Sequence, residues 1–364
     1  MHIIYSCLSV FVLAILSVYS ITPFIIQLAN KTNFMDNPGA RKIHKKATPL
    51  LGGLAVFIGF LILTLYIIFM NLHSFNLPIL GYLAGAFIIV VVGIIDDRYG
   101  MNPLLKLIGQ ALSCFIFLYT NNLLYIFGPI YITLPLLFLW MVGLMNALNF
   151  LDNMDGIITG MSGILALGFY AFSFISKTNT LAPQANFMSL IALSFAGAAF
   201  GFLPYNFNPA RIFLGDAGSM FIGYFLSSMG ILAGRLAVIK MNNNLFYLLP
   251  VLLLSYAIFD ISLVSFTRKR DGRKISQGGK DHSTHRIDTA MQSPIITALI
   301  VYLINIVIVL VTILVFKTGS DTVLMISTAL FALIFLFFGK KLDQIPILIP
   351  ENQIKESIIK NEEV

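Results

Sequence analysis

Residues 79–95 read ILGYLAGAFIIVVVGII and run straight into Asp96, Asp97 and Arg98. Seventeen residues without a charge come close to the roughly 20 that a helix needs to cross a hydrocarbon core. Working outward, hydropathy marks ten more stretches of this kind: 3–29, 50–70, 104–120, 134–149, 157–176, 187–203, 217–238, 245–266, 294–316 and 323–338. The expected fold is all-α, a polytopic membrane bundle of 10–11 helices. The bulk composition agrees, with 58% apolar and 11% charged residues, against about half and about a quarter in soluble domains. Mean hydropathy is +0.90. A soluble enzyme, a secreted disulfide scaffold and a disordered chain are excluded. No repeat or low-complexity linker interrupts the chain, so residues 1–340 read as one integral domain and 341–364 as a tail.

Two local points refine this. Residues 3–29 lack a basic leading segment and are too long for a signal-peptide core, so they read as a retained first span. Asn121, Asn122, Gly128 and Pro129 break the 121–149 stretch into a short re-entrant or external piece and a span. Cys7 and Cys114 lie in apolar runs without clustered partners, as small core residues do.

Sidedness follows from Lys and Arg. With the loop after the first span in the cytosol, segments 30–49, 96–106, 204–217, 267–293 and 339–364 hold 19 basic residues. The opposite side holds four: Lys177, Arg235, Lys240 and Lys317. The N-terminus is therefore expected outside and the C-terminus in the cytosol. Of the 16 carboxylates, only Asp321 falls outside and only Asp260 inside a span. A buried intramembrane charge costs about 2.5–3.5 kcal/mol on insertion scales, so the remaining acidic groups belong at the inner face.

Five constellations gather there. Asp36-Asn37-Pro38-Gly39-Ala40-Arg41-Lys42-Ile43-His44, then Thr48-Pro49-Leu50-Leu51-Gly52-Gly53, reads as a positive-inside anchor or as a phosphate-binding entry. Asp96-Asp97 ends a helix whose dipole opposes both charges. A solvated loop tolerates such a pair, but a cation or a proton to be taken explains it better. Asn146, Asn149, Asp152 and Asp155 recur every three residues, which on one helix would keep Asn149, Asp152 and Asp155 on a shared face. Arg211-Ile212-Phe213-Leu214-Gly215-Asp216-Ala217-Gly218 suits backbone approach to a phosphate at a helix start, or a plain cap. The loop Arg268-Lys269-Arg270-Asp271-Gly272-Arg273-Lys274, continuing through Lys280-Asp281-His282-Ser283-Thr284-His285-Arg286, suits a pyrophosphate lid or a solvated basic loop. Asp260 is a functional suspect, with Arg268 two turns on as one candidate partner.

These motifs, DNPGARKIH…TPLLGG, GIIDD, NALNFLDNMDG, ARIFLGDAGS and GGKDHSTHR, span residues 36–286 in this order. They resemble the polyprenyl-phosphate N-acetylhexosamine-1-phosphate transferases, glycosyltransferase family 4, and within them the WecA-like branch. The muramoyl-pentapeptide branch usually has three consecutive histidines where this chain has His282-Ser283-Thr284-His285. The resemblance implies transfer of a sugar 1-phosphate from a UDP-N-acetylhexosamine to undecaprenyl phosphate at the cytosolic face of the plasma membrane, with release of UMP. It implies Mg²⁺ or Mn²⁺, held by Asn149 and Asp216 with Asp152 near. It assigns Asp96, Asp97 and Asp216 to catalysis. The nucleotide sugar is assigned to Asn153, Met154, Asp155, Phe213, Arg211, His282, His285 and Arg286, with Phe213 stacking on uracil. Asp36, Arg41, Lys42 and His44 fall on the lipid-phosphate side. Membrane lipid is a partner, nucleic acid is not, and a homodimer is compatible with this reading. The rival class, an ion-coupled transporter, would place carboxylates near the midplane, where this chain has only Asp260.

Overall fold

The computed structural model describes residues 2–37, 47–70, 76–177, 182–274 and 279–346. Ten described helices are long and apolar enough to cross a membrane. They are α1 (His2–Lys31), α2 (Gly52–Phe69), α3 (Leu77–Tyr99), α4 (Pro103–Thr120), α5 (Ile130–Leu151), α6 (Ile157–Ile175), α7 (Ala182–Asn206), α8 (Gly215–Met241), α12 (Pro294–Thr318) and α13 (Asp321–Asp343). Between them lie the short α9 (Leu249–Leu253), α10 (Ser255–Arg270) and α11 (Ser283–Met291). Outside the helices, β1 (Met35–Asp36) pairs antiparallel with β2 (Thr48–Pro49), Asp36 opposite Thr48.

Helix starts follow local chemistry. The Asn76 side chain accepts from the Ile79 amide at 3.2 Å, and that of Asn102 from Leu104 at 2.9 Å. Each is followed by a proline in the first turn, where the missing N–H costs nothing. Ser293 and Ser320 cap α12 and α13 in the same way. The expected break after α4 is a turn over 121–129, and α5 begins at Ile130, earlier than hydropathy places it, because Pro129 supplies the start.

Two expectations are corrected. The ninth stretch, 245–266, is no straight span: the chain turns at Leu254 and the two helical pieces diverge by 71°. Asn149, Asp152 and Asp155 do not share a helical face. Helix α5 stops at Leu151, and Gly156, at φ 75°, turns the chain into α6. The three-residue spacing therefore spans a helix end and a tight turn.

Buried α7 and α8 form the centre. Phe195 and Phe225 stack at 3.7 Å between ring centroids, with Phe60 and Phe221 edge-on against them. In lipid the apolar effect does not drive helices together, so close backbone packing must contribute. Near the functional end it does. A Cβ on Gly53 would sit 2.1 Å from the Gly218 nitrogen, and one on Gly93 2.3 Å from Ala217 Cα. Helices α2 and α3 thus both touch the backbone of the first turn of α8.

Candidate active site

That first turn is the foundation of the site. Gly215, at φ 73°, bends the chain into α8 without a side-chain cap of its own. The cap comes from another helix: Asp97, at the end of α3, accepts from the Asp216 amide at 2.9 Å on Oδ1 and from Ala217 at 3.2 Å on Oδ2. A carboxylate on free helix N–H groups is well placed electrostatically. Asp97 therefore aligns Asp216.

Around Asp216 the other groups close in. Lys106, in the first turn of α4, bridges Asp216 and Asp96, its Nζ 2.8 Å from Asp96 Oδ2. Asp96 also accepts from the Met101 amide at 2.6 Å. Asn149 Nδ2 donates to Asp216 Oδ1 and to Ser219 Oγ, both at 2.9 Å. One turn earlier, Asn146 and buried Gln110 exchange amide contacts at 3.0 and 3.4 Å, fixing α5 against α4. Asp152, just past the end of α5, has a carboxyl pushed well above the usual range by burial, and further by the charges of Asp216, Asp97 and Asp155. Asp96 and Asp216 thus share one lysine, with Asp97 on the amide of Asp216 and Asp152 close enough to feel the charge of both Asp97 and Asp216.

Lys106 is the residue that sequence reasoning missed. It reads as an interfacial lysine, although a cation inside an apolar run, ten residues after Asp96, is itself a signal.

The nucleotide-side candidates form a second tier. Asp155 Oδ2 accepts from Asn208 Nδ2 and the Ala210 amide, both at 3.0 Å, so it shapes the 207–213 loop. Half-buried Phe213 is fixed through its backbone: its amide donates to Pro49 and its carbonyl accepts from Gly52, at 2.8 and 2.9 Å. Arg211 is exposed on the same loop, and Met154, which precedes Asp155, is partly buried. Asn153 Oδ1 accepts from Thr284 Oγ1 at 2.8 Å, joining the 152–156 turn to α11. His282 and His285 are both buried. Burial, with the nearby His282 and Lys280, lowers His285 to about 4, so its ring is neutral at pH 7. Arg286 is engaged within the protein. Its buried guanidinium donates to the Asp281 and Leu342 carbonyls, each at 3.0 Å, and holds the end of α13.

On the lipid side, Asp36 lies at the β1–β2 pair. Arg98 ties this segment to α3, donating to the Asn33 carbonyl at 2.9 Å over the Phe34 ring. Arg41, Lys42 and His44 lie outside the described residues.

The groups near Asp216 that could ligate a metal are carboxylate and amide oxygens, without thiolate or imidazole among the described residues. That set suits a hard divalent cation such as Mg²⁺. Among the described residues no three His, Cys, Asp or Glu groups form a ready-made cage. Mg²⁺ rarely uses one, taking one or two carboxylates together with substrate phosphates and water.

Known proteins similar to this chain share a family. Residues 79–234, which include Asp96, Asp97, Lys106, Asn149, Asp152 and Asp216, match the family described as Glycosyl transferase family 4. The chain is 31% identical over 304 residues to a probable undecaprenyl-phosphate N-acetylglucosaminyl 1-phosphate transferase of Bacillus subtilis, covering 81% of each chain. It is 32% identical over 321 residues to a decaprenyl-phosphate N-acetylglucosaminephosphotransferase of Mycobacterium tuberculosis, covering 80% of this chain and 77% of the relative. A phospho-N-acetylmuramoyl-pentapeptide-transferase of Prochlorococcus marinus is 31% identical over 245 residues, covering 61% and 66%. On this match and these identities, the chain belongs to glycosyl transferase family 4.

Proposed function

We propose that this protein transfers N-acetylglucosamine 1-phosphate from UDP-N-acetylglucosamine to undecaprenyl phosphate at the cytosolic membrane face, releasing UMP. The observation that carries this reading is the convergence of Asp96, Asp97, Lys106, Asn149 and Asp216 where four helices end or begin. An oxygen of the lipid phosphate bonds to the sugar-bearing phosphorus of the nucleotide sugar, and the bond from that phosphorus to the UMP oxygen breaks. Phosphoryl transfer asks chiefly for alignment and charge neutralisation.

The residues divide this work. Asp97 holds the α8 start, and with it Asp216, in register. Lys106 supplies a cation beside the acidic groups and can follow charge as it moves to the leaving UMP. Asp96, next to that lysine, is placed to take the proton of an incoming lipid phosphate. Phe213, Asn153 and the 207–213 loop form the nucleoside end, with Asp155 setting the loop's shape. Asp216, Asn149 and Asp152 would hold Mg²⁺, which supplies charge neutralisation on the diphosphate.

The test is UMP release by purified protein given undecaprenyl phosphate and a panel of UDP-sugars, including a muramoyl-pentapeptide donor. Release with UDP-N-acetylglucosamine, lost in EDTA and restored by Mg²⁺, is expected. Release only with the muramoyl donor would overturn the sugar assignment, and full activity in excess EDTA would overturn the metal.

A further inference from the structure

Asp260 has a different partner from the Arg268 that sequence spacing suggests. Its carboxylate is 1% exposed and lies where α10 meets the start of α11. Oδ2 is 2.7 Å from His282 Nδ1, and Oδ1 accepts from the Ser283 amide at 2.8 Å and from Ser283 Oγ at 2.6 Å. Arg268 instead forms a two-pronged pair with Asp281, at 2.9 and 2.7 Å.

The protons in this cluster can be followed. Ser283 gives its hydroxyl proton to Asp260, so the Tyr256 hydroxyl, 3.0 Å from Ser283 Oγ, must donate to that oxygen. A carboxylate oxygen only accepts, so at Asp260 Oδ2 the donor is His282 Nδ1. The other titratable groups acting around His282 are Asp281, immediately before it, and His285, one turn later. In a neutral His282 this leaves Nε2 as an acceptor; in a protonated one it leaves Nε2–H as a donor. The next residue but one, Thr284, contacts Asn153 on the active-site turn. The first turn of α11 is therefore anchored on Asp260 at one side and touches the 152–156 turn at the other.

We propose that Asp260 is a positioning residue for the transfer reaction, acting through His282: its carboxylate fixes the tautomer and orientation of an imidazole at the edge of the nucleotide-sugar site. This rests on the transferase reading above. The bland alternative is that Asp260 only anchors α11.

A double-mutant cycle on the full-length protein separates the two. In Asp260→Asn, the amide oxygen stays with the two Ser283 donors and the NH₂ faces His282 Nδ1, which must then accept, moving the ring proton to Nε2. Where the same change reverses a tautomer in a hydrolase triad, kcat falls about 10⁴-fold. Here the ring is not assigned as the nucleophile's own base, and a loss of about 30- to 1,000-fold in kcat is expected, with KM changed less than about threefold. Asp260→Glu should recover part of the loss. In a His282→Gln background, adding Asp260→Asn should change kcat by less than about threefold, because the route it acts through is already gone. An equal loss in both backgrounds, or a kcat loss matched by a lowered melting temperature, overturns the positioning role. If Asp260→Asn does not fold, Asp260→Glu, which displaces the carboxylate while keeping its charge, takes its place in the same cycle. If the wild type turns over and the cycle is additive, this proposal alone falls. If the wild type releases no UMP from any UDP-sugar, the transferase reading falls and takes this proposal with it.

Discussion

Asp216 and Phe213 are three residues apart, yet the structure gives them separate tasks. Asp216 is held by side chains, Asn149 on one oxygen and Lys106 on the other. Phe213 is held by its backbone between Pro49 and Gly52. The first arrangement concentrates charge where a diphosphate bond would break, and the second presents a ring with its own mobility limited. Asp216→Asn should therefore lower kcat steeply: about 4 kcal/mol of lost transition-state stabilisation is roughly a thousandfold in rate. Phe213→Ala should mainly raise KM for the nucleotide sugar, by about 1–3 kcal/mol if the ring stacks on uracil as aromatics do on other bases. Some kcat loss at Phe213 is tolerable, since remote binding energy also orients the reacting centre. Steady-state kinetics showing a mainly KM effect at Asp216 and a thousandfold kcat loss at Phe213 would mean that the two roles are exchanged.

At the scale of helices, the site depends on how closely backbones approach. A Cβ on Gly93 would meet Ala217 Cα at 2.3 Å and Ala217 N at 2.4 Å, so no side-chain rotation can relieve the clash. Gly93→Ala should push α3 off α8 and draw Asp97 away from the amides it caps. The expected cost is about 1–3 kcal/mol in stability, typical of overpacking, together with a loss of UMP release larger than stability explains. A variant with wild-type activity and melting temperature would show that the α3–α8 spacing is not critical. The same contacts explain what the sequence could and could not reveal. Span number follows from length and hydropathy, and the helix starts at Asn76 and Asn102 from capping chemistry. Gly93 and Gly53 are visible within motifs, but nothing local says that each faces the same turn of α8. Likewise the turn at Gly156 interrupts a spacing that suits a helix, and Lys106 becomes a site residue only once α4 lies beside α8. Partners set by folding across 67 to 120 positions, as with Asn149–Asp216 and Asp97–Ala217, leave no trace in local pattern.

For the whole molecule, the alternation of helices gathers the ends of α3 and α5 and the starts of α4 and α8 at one end of the bundle. The turn between α4 and α5, which contains Tyr125, lies at the opposite end. The acidic site and the basic loops around it share the first end, and 19 of 23 Lys and Arg residues lie in the segments assigned to that side. Basic loops remain in the cytosol during insertion, and the proposed nucleotide-sugar donor is a cytosolic compound, so the charge count and the proposed chemistry predict the same orientation. Two cysteine variants test it. Lys269, near the end of α10, is exposed on the site side, and Tyr125 is 68% exposed on the other. The native Cys7 and Cys114 are 5% and 0% exposed, so they should contribute little background. In intact cells a membrane-impermeant thiol reagent should label Tyr125→Cys and spare Lys269→Cys, while in opened membranes it should label both. Labelling of Lys269→Cys from outside intact cells would invert the bundle. It would also turn the acidic site away from its proposed donor, and no rearrangement of the loops alone could restore access to it.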